Sequence, residues 1–75
     1  MTEKQVNRLV SNQMVKAREL AGLTQKKVQE EGIIIQSELS KIENGVKTIS
    51  AAKLFLLAAY YKQPIEFFFN DKNKR

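Results

Sequence analysis

The sequence predicts an all-α domain built from five helices, all short except the first. Three observations support this reading. The chain holds only one proline and three glycines. Its apolar residues recur at helical spacing, with no alternation suited to strands. Hydroxyl residues and the single proline stand where helices would begin.

The first helix opens at Thr2, with Gln5 three residues later in a capping-box pattern and Met1 placed to staple onto Val6. Val6, Leu9, Val10, Met14, Ala17 and Leu20 or Ala21 then repeat on one face up to Gly22, a C-terminal stop. Thr24 caps a second helix from Gln25 to about Glu31, with Leu23 and Val28 as its apolar staple. Gly32 breaks that helix. Ile33, Ile34 and Ile35 read as a buried connector, because no nearby segment offers a strand partner. A third helix runs from Gln36 to about Asn44, with Leu39 and Ile42 on its apolar face. Ser50 caps the fourth, Ala51 to Tyr61, stapled by Ile49 and Leu54. Apolar residues cover almost its whole circumference, which predicts the central and most buried helix. Pro64 suits the first turn of a fifth helix, Pro64 to Phe69.

Size and charge narrow the function. The 75 residues make one domain, 1–69, followed by a basic, disordered tail, 70–75, in which NDKNKR carries three positive charges and one negative. Below about 80 residues a core stabilises a fold by only a few kcal/mol, so regular helix packing has to suffice. Cysteine and histidine are both absent, which excludes disulfides and the usual zinc ligand sets. No metal or cofactor is expected. An enzyme is excluded on similar grounds, since there is no His or Cys nucleophile or base and no Gly-rich phosphate loop. The longest apolar run, Leu54 to Tyr61, is far too short for a membrane span. Thr2, Glu3 and Lys4 do not open a signal peptide, so the cytoplasm is the expected compartment. A net charge of +5 and a pI near 9.7 are one footprint of nucleic-acid binding, although many basic proteins bind none and part of this charge lies in the terminal run.

Four runs carry a resemblance. GLTQKKV (22–28), QSELSKIENG (36–45), SAAKLFLLAAYY (50–61) and PIEFFF (64–69) resemble the phage-repressor and Cro (XRE-like) type of helix-turn-helix domain. The likeness covers about residues 10 to 69 and keeps the family's spacing from Thr24 to Glu43. The SKIENG wording and the phenylalanine-rich end look most like the N-terminal domains of peptide-responsive Gram-positive regulators, which carry a helical-repeat sensor after this domain. A separate sensor of that kind is not expected in a chain of 75 residues. The implied fold is a five-helix, lambda-repressor-like bundle. Two positions depart from the family pattern. Gly32 and Ile33 fall where an apolar residue and the turn glycine usually stand, and Gln29 replaces a small residue, usually alanine. A turn rearranged by one residue is therefore expected.

The resemblance implies a duplex-DNA reader. Gln36 and Ser37 align with base-contacting positions at the start of the third helix, and a glutamine amide matches adenine N6 and N7. Lys41, one turn on, reaches a guanine edge or a phosphate. Glu38 has two readings, a favourable charge at a helix N-terminus or an acceptor for cytosine N4 that excludes wrong sequences. Gln25 is implied to contact a phosphate and to brace the first residue of the reading helix. Lys26, Lys27, Asn44, Lys47 and Thr48 surround it as backbone contacts, against the plainer reading of surface charge. Arg18 and Glu43 are implied to form a partly buried ion pair that fixes that helix. The end of the fourth helix and the fifth are implied to form a homodimer contact through Tyr60, Tyr61, Phe68 and Phe69. Such a dimer would act as a transcriptional regulator, most simply a repressor, on a palindromic operator. The competing reading is a protein-interaction module, an antitoxin or antirepressor-binding protein, using the same aromatic surface.

Overall fold

A computed structural model of the protein describes residues 1–70. The tail expected over 70–75 lies outside the described residues from position 71 onward. Among the described residues four α-helices follow one another, α1 (Glu3–Leu20), α2 (Gln25–Glu30), α3 (Gln36–Glu43) and α4 (Ala51–Tyr61), and a 3-10 segment, Ile65–Phe69, comes after them. Among the described residues there is no strand, and no helix is long and apolar enough to cross a membrane.

Local chemistry sets most of the boundaries. Thr2 and Gln5 form the capping box, with bonds of 2.8 and 3.2 Å between side chains and backbone N–H groups. Met1 is largely exposed, so this helix starts on the box without the apolar staple. Thr24 accepts from the Lys27 N–H at 3.1 Å, and Ser50 accepts from the Lys53 N–H at 3.2 Å. Each cap satisfies one of the N–H donors that a helix start leaves open.

The expected fifth helix is corrected. Pro64 stands before the segment in extended backbone, and the five residues after it wind as 3-10. The reason lies in its packing. The Gln13 amide Nε2 donates to the Phe67 carbonyl at 2.9 Å and ties the segment to α1. Phe68 is fully buried, while its neighbours Phe67 and Phe69 are half-buried and exposed. A short, tight winding lets one ring enter the core and turns the next outward.

The core joins all the elements. Val10, Met14 and Ala17 of α1 meet Val28, Ile34, Leu39, Ile42, Leu54, Leu57, Ala58, Tyr61 and Phe68. The isoleucine connector is only partly inside: Ile34 is buried, Ile33 is half-buried, and Ile35 is exposed. The expectation that α4 is the most buried helix is overturned. Ala52, Phe55, Leu56 and Ala59 are exposed, and their i, i+3, i+4, i+7 spacing makes them one apolar stripe facing solvent. Composition recorded how apolar the helix is. It could not record that only one side has neighbours.

One backbone feature is unfavourable. Lys62, which ends α4, adopts φ 61° and ψ 41°, the left-handed conformation in which a Cβ is crowded. Lys62→Gly should raise the unfolding free energy by about 0.5–1 kcal/mol, the relief of strain exceeding the added chain entropy. Lys62→Val should lower it, and urea unfolding of both variants checks the sign.

Candidate nucleic-acid interface

Helices α2 and α3 are joined by a turn over residues 31–35, in which Gly32 takes φ +85°. That glycine is the conformational reason α2 stops at Glu30, since the positive φ terminates the helix at low cost only without a Cβ. Ile35 opens α3 but carries no capping oxygen. A side chain from α2 supplies it: Gln29 Oε1 accepts from the Gln36 N–H at 2.6 Å. A cap of this kind contributes about 1 kcal/mol. The residue that departs from the small-residue expectation thus has a structural use, and sequence spacing alone did not reveal it.

The outer face of α3 is polar and open. Gln36, Ser37, Lys41 and Asn44 are exposed and Ser40 is half-buried; all lie on one arc, with buried Leu39 and Ile42 on the other side and buried Glu43 at its edge. The amide of Gln36 and the ammonium of Lys41 have no protein partner among the described residues. Lys26 and Thr48 are also exposed, while Lys27 pairs weakly with Glu30 at 3.4 Å. Asn44 Nδ2 lies 3.5 Å from Ser40 Oγ, at the limit of a hydrogen bond.

Glu38 sits apart from this group. Its side chain is 16 % exposed, and its carboxylate holds Lys53 Nζ at 2.7 Å and Lys47 Nζ at 3.1 Å. The hydrogen bonds from Lys53 and then Lys47 lower its pKa below the usual carboxylate range. Its stabilising effect is therefore present above that range and is lost as pH falls through the lowered value. Beside the two readings expected of Glu38, the structure adds a third role, a carboxylate held by two lysines. The acid is on the edge of α3 and joins that helix to α4 and the preceding loop, and Lys47 is partly engaged there.

The helices are locked beneath this face. Arg18 Nε donates to Glu43 Oε2 at 2.8 Å and Nη2 to Oε1 at 3.1 Å, a two-pronged pair. Arg18 Nη1 also donates to the Leu23 carbonyl at 2.7 Å. Gln25 Nε2 donates to Glu43 Oε1 at 2.9 Å. The Glu43 carboxylate is 3 % exposed, and its hydrogen bonds hold the Arg18 pKa above its already high value. Gln25 was expected to brace Gln36. It braces the opposite end of α3 instead, and Gln29 takes the Gln36 position.

The four aromatic residues expected at a dimer contact divide. Tyr61 and Phe68 are core, Tyr60 is half-buried, and Phe69 is exposed. The correction follows from packing, since a ring with no accessible surface has nothing left to offer a partner. Tyr61 fills the core with a hydroxyl that has no hydrogen-bond partner among the described residues, and burial raises its pKa strongly.

Comparison with known proteins adds one finding. A family model described as "Helix-turn-helix" matches residues 14–68, a span that contains α2, α3, α4 and all of the 3-10 segment except Phe69. Neither the curated proteins nor the solved structures yield a match.

Replacing either Arg18 or Glu43 by an apolar residue should destabilise the fold by about 3–5 kcal/mol, because the remaining charge stays partly buried and unpaired. Replacing both should recover part of that loss. A thermal-unfolding double-mutant cycle measures the coupling, and small additive effects would mean the pair is solvated in solution.

Proposed function

The chain belongs to the helix-turn-helix family of Cro and C1 type, and on that premise we propose that it is a sequence-specific regulator of transcription that binds duplex DNA as a homodimer. Helix α3 enters the major groove and reads bases with Gln36, Ser37 and Lys41. Lys26, Lys27, Asn44, Lys47 and Thr48 hold the sugar-phosphate backbone, with Gln25 beside them at the start of α2. The observation that carries this reading is the open polar face of α3, whose buried side is fixed by Arg18 and Glu43. Helix amides and ammonium groups without protein partners suit base edges and phosphates.

Dimerisation is the second part of the proposal. The stripe on α4 leaves Phe55 66 % and Leu56 49 % exposed, and Ile65 and Phe69 of the adjoining 3-10 segment are 40 % and 49 % exposed. The patch is apolar, and a two-fold contact would pair it with itself. Two α3 helices set about 34–36 Å apart would then read the two halves of a palindrome, where occupancy represses an overlapping promoter. An antitoxin or antirepressor-binding role would use the same patch without a preferred duplex.

Site selection from random duplexes tests the reading directly. Gln36→Ala should cost about 1–3 kcal/mol on the selected site and relax preference at one base position. Lys26→Ala should leave the preference intact, weaken all sequences alike, and reduce the salt slope by about one. A protein that selects no sequence would favour the interaction-module reading.

Sedimentation with and without operator tests the dimer. Phe69→Ser should fold normally, because the ring is exposed, and should impair dimer formation. Phe68→Ser should instead destabilise the monomer by about 3–5 kcal/mol through loss of a core ring. A parent protein that stays monomeric on saturating operator would rule the dimer out.

A further inference from the structure

Helix α1 begins well before the family match at Met14, and its first turns carry charges that helix stability does not explain. Lys4 lies in the first turn and Arg8 in the next, four residues on. Positive charge at a helix N-terminus opposes the macrodipole, and like charges at i, i+4 repel one another. Neither side chain forms an ion pair among the described residues. Both are exposed.

These two cations line a cleft of about 370 Å³ between α1 and the end of α3. Asn7 and Ser11 add polar groups from the same helix, and Asn44 and Gly45 form the opposite wall. Glu43 also lines the cleft, but its carboxylate is already bound by Arg18 and Gln25. The cleft therefore presents two cations and neutral donors around a carboxylate whose charge is compensated. It also continues a surface already described, because Asn44 and Gly45 lead directly into Lys47 and Thr48.

We propose that this cleft is an additional DNA-backbone site, in which Lys4 and Arg8 engage phosphates beyond the segment that α3 reads. The proposal rests on the duplex-binding reading above. It extends the protein's footprint along the strand without adding base preference, because phosphate contacts fix position and carry no sequence information. It also gives the unfavourable charges on α1 a purpose. They destabilise the free helix slightly and act on the complex.

The test compares the parent, the Lys4→Ala/Arg8→Ala double variant and the charge-retaining Lys4→Arg/Arg8→Lys variant. Each is titrated against the selected site with long flanks and against a duplex trimmed to the base-read segment. The alanine variant should melt no lower than the parent and select the same bases. On the flanked duplex it should bind about tenfold more weakly at 0.1 M salt, with a salt slope smaller by about two. Hydroxyl-radical protection of the flanking backbone should disappear with it. On the trimmed duplex the two proteins should bind alike, and the charge-retaining variant should match the parent on both. An alanine variant with parental affinity, slope and flank protection overturns the cleft assignment while leaving duplex binding intact. An equal loss on both duplexes also overturns it, since the charges would then act by general attraction. A parent that binds no duplex overturns the duplex reading, and the cleft assignment with it.

Discussion

The fold depends on a single carboxylate. Glu43 receives Arg18 from α1 and the Gln25 amide from α2, while its own helix carries the polar face. Three helices therefore share one hydrogen-bonded centre at the edge of the core. Charges this buried are tolerated only when nearly every lone pair is engaged. Geometry becomes restrictive as a result: a rotation of α3 about its axis would break several charge-assisted bonds at once. Leu39 and Ile42 set which side of α3 faces the core, and the ionic centre adds directional bonds to that packing.

A second constraint is scale. Among the described residues twelve buried apolar side chains make up the core, and Phe68 of the 3-10 segment is the largest that is fully enclosed. A core this small has to recruit residues from the end of the chain, which explains why the segment after Pro64 is drawn against α1. The outer stripe of α4 stays uncovered. The apolar stripe there is the counterpart of the inward packing, and both follow from a helix with more apolar surface than one small domain can cover.

Much of this was legible in the residues, and the limits have physical causes. Thr2, Thr24 and Ser50 announce helix starts because a hydroxyl cap acts within three residues of itself. The ion pair of Arg18 and Glu43 was reachable through the family resemblance. Interactions between residues far apart and without a motif were not. Gln29 capping α3, Lys53 holding Glu38, and Gln13 holding Phe67 all depend on how separate elements meet. The triple phenylalanine run illustrates a further limit. Spacing shows that three consecutive rings cannot share one face, but only packing decides that Phe68 enters. The α4 stripe failed for a related reason, since periodicity carries no signal in a helix that is apolar all round.

The bond from Gln36 to Gln29 bears on timing as well as stability. In a free helix the first turn frays, because its N–H groups have no partners. Here the first amide of α3 is held by a side chain rooted in the neighbouring helix, so the end that carries Gln36 and Ser37 is ordered before any ligand arrives. The conformational entropy of that turn is then lost during folding and not during association. Complex formation should accordingly resemble the docking of a rigid body, with a heat-capacity change set by the contacting surfaces alone. It should lack the larger signature of a segment that folds as it binds.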